Sequence, residues 1–103
     1  MASHKYDGVI EAVRYGPNKR IEIVRAFERR QSAFSDRILL TRQKLLERLR
    51  EGKRFATGTR QEFLAGTFEI GKSVRLVKAN GKLFITSRED NPHYDDLDDV
   101  PIF

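Results

Sequence analysis

The segment Gly66-Thr67-Phe68-Glu69-Ile70-Gly71-Lys72-Ser73 reproduces the spacing G-x-x-x-x-G-K-[ST]. In that motif backbone amides cradle phosphates, a lysine reaches them and a hydroxyl holds magnesium. The chemistry needs a strand before the loop and a helix after it. Here Ser73 is followed by Val74-Arg75-Leu76-Val77, a strand-like run that leads into Asn80-Gly81, and Glu69 would put a negative charge inside the cradle. The segment reads as a turn between two strands.

Acid–base and metal chemistry have few candidates. The two histidines, His4 and His93, fall outside any element that could fix their geometry. The absence of cysteine excludes a disulfide framework, a thiolate metal site and a thiol nucleophile, and fits a reducing cytoplasm. Asp95, Asp96, Asp98 and Asp99 lack the glycine and the spacing of a calcium loop. Glu11, Glu22 and Glu28 sit in strand-like runs, where they read as ion-pair partners. No catalytic residue, metal site or cofactor is therefore expected, and a small basic ribonuclease using arginine and a carboxylate ranks third among the readings.

Binding chemistry is better represented. Arginine and aromatic residues interleave as Arg25, Phe27, Arg29, Arg30 and Phe34, and again as Arg54, Phe55, Arg60 and Phe63. Arg75, Lys78, Lys82 and Phe84 follow. Proteins that bind single-stranded nucleic acid combine cations for the phosphates with aromatic faces on which bases stack. Arginine suits both tasks because its plane can stack as well as pair. Arg25, Arg29, Arg30, Phe34, Arg54, Phe55, Arg60, Phe63, Arg75 and Lys78 are the candidate nucleic-acid contacts. Most of the seven Phe and three Tyr must nonetheless be core in so small a chain. No helix carries a helix-turn-helix or zinc-finger signature, so reading of duplex sequence is not expected.

The charge distribution supports a polyanion partner. The 103 residues carry a net charge of +5, unevenly placed. Residues 1–88 hold all 20 Lys and Arg against nine acidic residues, a balance of +11, whereas residues 89–103 hold six acidic residues and no Lys or Arg, a balance of −6. A basic domain over 1–88 with an acidic, flexible tail over 89–103 is expected.

The elements that must position these residues follow from local patterns. Residues 8–15 and 21–28 predict a hairpin around Gly16–Arg20, in which paired positions sum to 36 and Lys19 takes a left-handed conformation. Val9 then faces Phe27, Tyr15 faces Ile21, Val13 faces Ile23 and Glu11 meets Arg25. Arg37–Leu40 predicts a short strand entering a helix capped by Thr41 and ended by Gly52, with Leu45, Leu46 and Leu49 as its apolar stripe. Strands are expected over 54–60, 63–70, 74–79 and 82–87, the last two joined by Asn80-Gly81. The fold class is α+β: a small, mostly antiparallel sheet or partly open barrel of about six to seven strands with one helix. No apolar run approaches the length of a membrane span, and the first residues lack the apolar stretch of a signal peptide, so a cytoplasmic protein is expected. A homodimer is compatible with a core of this size.

The sequence ends Tyr94-Asp95-Asp96-Leu97-Asp98-Asp99-Val100-Pro101-Ile102-Phe103. This resembles the C-terminal tip of bacterial single-stranded DNA-binding proteins: an acidic run, an aliphatic residue, proline and a terminal phenylalanine. Ile102 intervenes between Pro101 and Phe103, and the family's long Gly- and Gln-rich linker is missing. The resemblance implies that Asp95, Asp96, Asp98 and Asp99 steer, and that Pro101, Ile102 and Phe103 dock replication or repair proteins, Phe103 anchoring through its ring and terminal carboxylate. The alternative is that Val100, Ile102 and Phe103 fold back as a last strand or edge cover. Taken together, the residues read as a single-stranded nucleic-acid-binding protein, DNA ahead of RNA, whose tail competes for the basic surface or recruits partners. The alternative is a protein-interaction module or regulatory subunit that binds no nucleic acid.

Overall fold

A computed structural model of the chain describes residues 6–30, 33–35, 37–60, 68–88, 90, 94–98 and 100–103. Strands β1 (Gly8–Tyr15) and β2 (Ile21–Arg30) form the first hairpin around a 3-10 turn, Pro17–Lys19. Lys19 has φ of 55°, the left-handed conformation that the short loop demands. Val9 pairs with Phe27 and Tyr15 with Ile21, but the register slips between Ile10 and Ala12, so Val13 faces Val24 instead of Ile23. Such an irregularity leaves one strand with an extra residue and re-aims its neighbours. Glu11 sits at the slip and still reaches Arg25, 2.8 Å from Nε.

Two short strands, β3 (Ala33–Phe34) and β4 (Ile38–Thr41), lie antiparallel along the other edge of β2. β4 runs directly into helix α1 (Arg42–Arg50), where the Thr41 side chain accepts from the Lys44 amide at 3.2 Å. Beyond its end Gly52 has φ of 93°, which suits a residue without a Cβ. Leu45 is fully buried, and Arg48 pairs with Glu28 on β2 at 2.9 Å.

Strand β5 (Phe55–Arg60) runs parallel to β1 over Gly8–Ile10, and β6 (Phe68–Ala79) and β7 (Lys82–Thr86) continue the sheet antiparallel. Asn80 and Gly81 have φ of 54° and 76°, as a two-residue hairpin turn with two positive φ angles requires. No turn interrupts β6 at Gly71–Ser73. Ser73 pairs with Ala56 and Ile70 with Gly58 on β5, Gly71 and Lys72 fall in the one-residue slip between them, and the Lys72 amide donates to Thr57 Oγ1 at 2.9 Å. Strand follows Ser73, so the phosphate-loop reading fails there; Gly66 and Thr67 lie outside the described residues. The sheet order is β3-β2-β1-β5-β6-β7 with β4 also on β2, an unclosed, mostly antiparallel α+β arrangement as expected. Among the described residues no helix is long and apolar enough to cross a membrane.

The C-terminal residues depart from the expectation of an extended tail. Leu97 is fully buried and Val100 nearly so, inside the same core as Ile10, Val24, Leu45 and Phe55. Asp96 lies parallel beside Thr86, and Ile102 beside Val13. β5 covers the β1 edge only as far as Ile10, so the buried Val13 backbone needs other partners. The Val13 amide donates to the Pro101 carbonyl at 2.9 Å, and the Phe103 amide donates to the Val13 carbonyl at 3.0 Å. The C-terminal segment thus spans from the outer edge of β7 to the uncovered part of β1.

Candidate nucleic-acid interface

Arg25, Phe27 and Arg29 alternate along β2 and so share one face, opposite to Val24 and Ala26. Pairing places Val9 beside Phe27 and Phe34 beside Arg29. Arg29 lies over the Phe34 ring, 4.8 Å from its centroid, and Phe34 meets Phe68 edge-on at 4.6 Å. Phe68 contacts Phe27 at 5.0 Å, and Arg37 lies 5.5 Å from the Phe27 centroid. Glu11 joins Arg37 to Arg25 at 2.5 and 2.8 Å. Arg25 and Arg14 both lie over Phe103, at 5.0 and 4.8 Å. Contacts between guanidinium groups and rings therefore run continuously from Arg29 to Arg14, through the Phe34–Phe68–Phe27 cluster and across the Glu11 carboxylate.

The charge balance of this array favours an anion. Glu11 is 10% exposed and serves two guanidinium groups that are 40% and 59% exposed, leaving a positive surplus at the surface. At one end lies a cleft of about 390 Å³, lined by Tyr6, Val9, Arg29, Phe34, Phe68 and Ile70. Tyr6 is held there by Arg29, whose Nε and Nη2 donate to its carbonyl at 3.2 and 2.7 Å, and by a hydroxyl contact with Ser73 Oγ at 3.0 Å. Chemically, such a surface can pair with phosphates and stack flat rings.

Of the sequence-predicted contacts, Arg25, Arg29 and Phe34 come together here. Phe55 does not: it is 1% exposed in the core, because its alternation in β5 points it inward. Arg75 is a brace, donating from Nε and Nη2 to the Arg88 carbonyl at 3.2 and 2.5 Å and from Nη2 to that of Asp90 at 3.0 Å. Arg54 is exposed just before β5, and Lys78 is exposed on β6; among the described residues no ion pair or ring contact joins either to the array. Arg30 and Arg60 lie on β2 and β5 with side chains outside the description, as is Phe63. Lys82 and Phe84 line a separate cleft of about 660 Å³ with Arg20 and Leu46, between α1 and the β6–β7 hairpin.

The expected partner-docking residues divide in the same way. Asp95 is buried and cannot steer a partner: its carboxylate accepts from the Ile21 and Ile85 amides at 2.8 and 2.9 Å and from Arg42. Asp96 pairs with Arg88 at 3.1 Å, and the carboxylates of Asp96 and Asp90 hold that guanidinium above its usual range. Asp98 pairs with Lys72, which holds its carboxyl below the usual range. Asp99 lies outside the described residues. Pro101 is exposed, Ile102 is 72% exposed, and Phe103 is half-buried beneath the two arginines.

Sequence reasoning missed Tyr6, Arg14, Arg37 and Phe68. They reach the array through cross-strand pairing and chain packing, for which spacing along one segment carries no signal. Comparison of the chain with protein-family models, with curated proteins and with solved structures finds no match.

Proposed function

We propose that the protein binds single-stranded nucleic acid, DNA being the first case to test, across the outer face of β1, β2 and β3. The observation that carries this reading is the continuous array from Arg29 to Arg14, in which the exposed guanidinium groups of Arg25 and Arg37 and the partly exposed rings of Phe34, Phe68 and Phe103 lie around the buried Phe27. Each base stacked on such a surface contributes about 1–3 kcal/mol, and each phosphate neutralised adds a salt-dependent increment. A flat face of this kind suits bases turned outward from a single strand, whereas a duplex turns its bases inward.

Phe103 lies on Arg14 and Arg25, where a base would stack, and this supports a C-terminal segment that competes for the surface. Any partner recruited by the segment would meet Pro101 and Ile102, because Asp95, Asp96 and Asp98 are engaged within the chain.

Fluorescence anisotropy with labelled single-stranded DNA, single-stranded RNA and duplex DNA tests the proposal across a salt series. Tight single-strand binding should weaken linearly in log salt. Arg25→Ala and Arg37→Ala should each reduce the slope by about one. No binding by the full chain at low salt would sink the reading and turn attention to a protein partner for the cleft beside Arg20 and Phe84.

A further inference from the structure

We propose that the cleft between Tyr6 and the Phe34–Phe68 pair is a nucleobase pocket, taking one base of the strand bound along the arginine face; this rests on the single-strand reading above. Its volume, about 390 Å³, lies in the range of small-ligand sites. Three rings from distant parts of the chain converge on it. The core does not account for them. Phe27, packed against Phe68, is fully buried, whereas Phe34 and Phe68 stay partly exposed and Ile70 is 42% exposed at the rim. Apolar surface left in water on one side of a preformed cleft is the mark of a binding site.

The walls are held in place before any ligand arrives. Arg29 grips the Tyr6 carbonyl with two donors while lying over Phe34, and the Tyr6 hydroxyl meets Ser73 across the sheet. Gly71 contributes no side chain to the cleft, and a Cβ there would come within 2.7 Å of Thr57 Oγ1. Among the described residues lining the cleft, Arg29 carries the only charge. That combination selects a flat, apolar-faced ligand whose attached group is anionic, which is the chemistry of a nucleotide. Arg25 and Arg29 stand four residues apart on one strand face, roughly 13 Å. A strand crossing β2 can therefore place one phosphate at Arg25 and insert a base beside Arg29.

The test compares a labelled oligodeoxythymidine with an abasic oligonucleotide of the same number of phosphates, using the full chain. Wild-type protein should bind the base-bearing strand about tenfold more tightly or better. Phe34→Leu, which keeps the site apolar, should abolish that preference, so that the variant binds the two strands with one affinity. The chain has no tryptophan, so Ile70→Trp installs a single reporter at the rim. Its emission should be quenched by the base-bearing strand and not by the abasic one. Equal affinity of wild type for the two strands would overturn the pocket together with base stacking on the face, leaving a surface that binds phosphate alone. A Phe34→Leu protein with its full preference intact would overturn the pocket and leave the single-strand reading standing. Failure of both strands to bind at low salt would remove the single-strand reading itself, and the pocket with it.

Discussion

The Asp95 carboxylate meets the Arg42 guanidinium at 2.7 Å from Oδ2 to Nε and 3.3 Å from Oδ1 to Nη2, with the Asp95 side chain wholly out of solvent. The same two oxygens accept from the Ile21 and Ile85 amides, so one carboxylate ties the start of α1, the start of β2, β7 and the C-terminal segment together. Arg42 also donates to the Leu83 carbonyl at 2.7 Å.

Asp95→Ala should therefore be severely destabilising. Removing one member of a buried pair strands the other and costs about 3–5 kcal/mol. Urea denaturation should show this as a lowered midpoint. Asp98→Ala, which breaks a solvent-exposed pair with Lys72, should move it little. Equal effects from the two variants would mean that Asp95 does not hold the core.

Tyr15 should make the fold sensitive to alkali. Burial pushes its hydroxyl above the usual 10.0, with neighbouring Asp96, Asp95 and Asp98 adding to the rise and the Leu97 amide opposing it. A group whose folded value is raised contributes stability that is fully present below its unfolded value and lost as pH rises through the folded one. Stability should hold up to about pH 10 and then fall, with tyrosinate absorbance from one of the three tyrosines appearing together with unfolding. Tyr15→Phe removes this dependence but leaves the Leu97 amide without its acceptor, costing roughly 1–2 kcal/mol at neutral pH. An unchanged alkaline profile in Tyr15→Phe would assign the loss to another group.

Phe103→Ala removes the ring beneath Arg14 and Arg25. Two such contacts contribute about 0.5–1 kcal/mol each, so stability should fall modestly. Affinity for single-stranded DNA should rise several-fold by anisotropy as the guanidinium faces are uncovered. No gain would show that the segment does not compete. A point substitution at Phe103 isolates this contact, whereas removing residues 89–103 would also strip Asp95, Leu97 and Val100 from the core.

Glu11→Gln should act on the same face through charge. The carboxylate holds Arg25 and Arg37, and both guanidinium groups are substantially exposed, so its loss should cost about 1 kcal/mol or less. Single-strand affinity should increase at low salt, with the gain disappearing as salt screens the added positive charge. A drop in affinity would mean that Glu11 works by positioning the arginines and not by cancelling their charge.

The sequence alone determined what local physics controls. Asn80-Gly81 supplies two positive φ angles, Thr41 and Gly52 bracket the helix, and alternation with a short loop pairs Tyr15 with Ile21 and Val9 with Phe27. The same alternation put Arg25 and Arg29 on one face, so part of the candidate interface was legible too. Only the tertiary structure decided the slip at Glu11, the burial of Phe55, and the arrival of Arg14, Arg37 and Phe68 beside those arginines. Each depends on which strands become neighbours, and no local pattern encodes that. The C-terminal segment shows the reason most sharply. A run of carboxylates reads as solvated because desolvating a charge is costly. Asp95 is nonetheless inside, because Arg42 and the Ile21 and Ile85 amides converge on it from three separate parts of the chain.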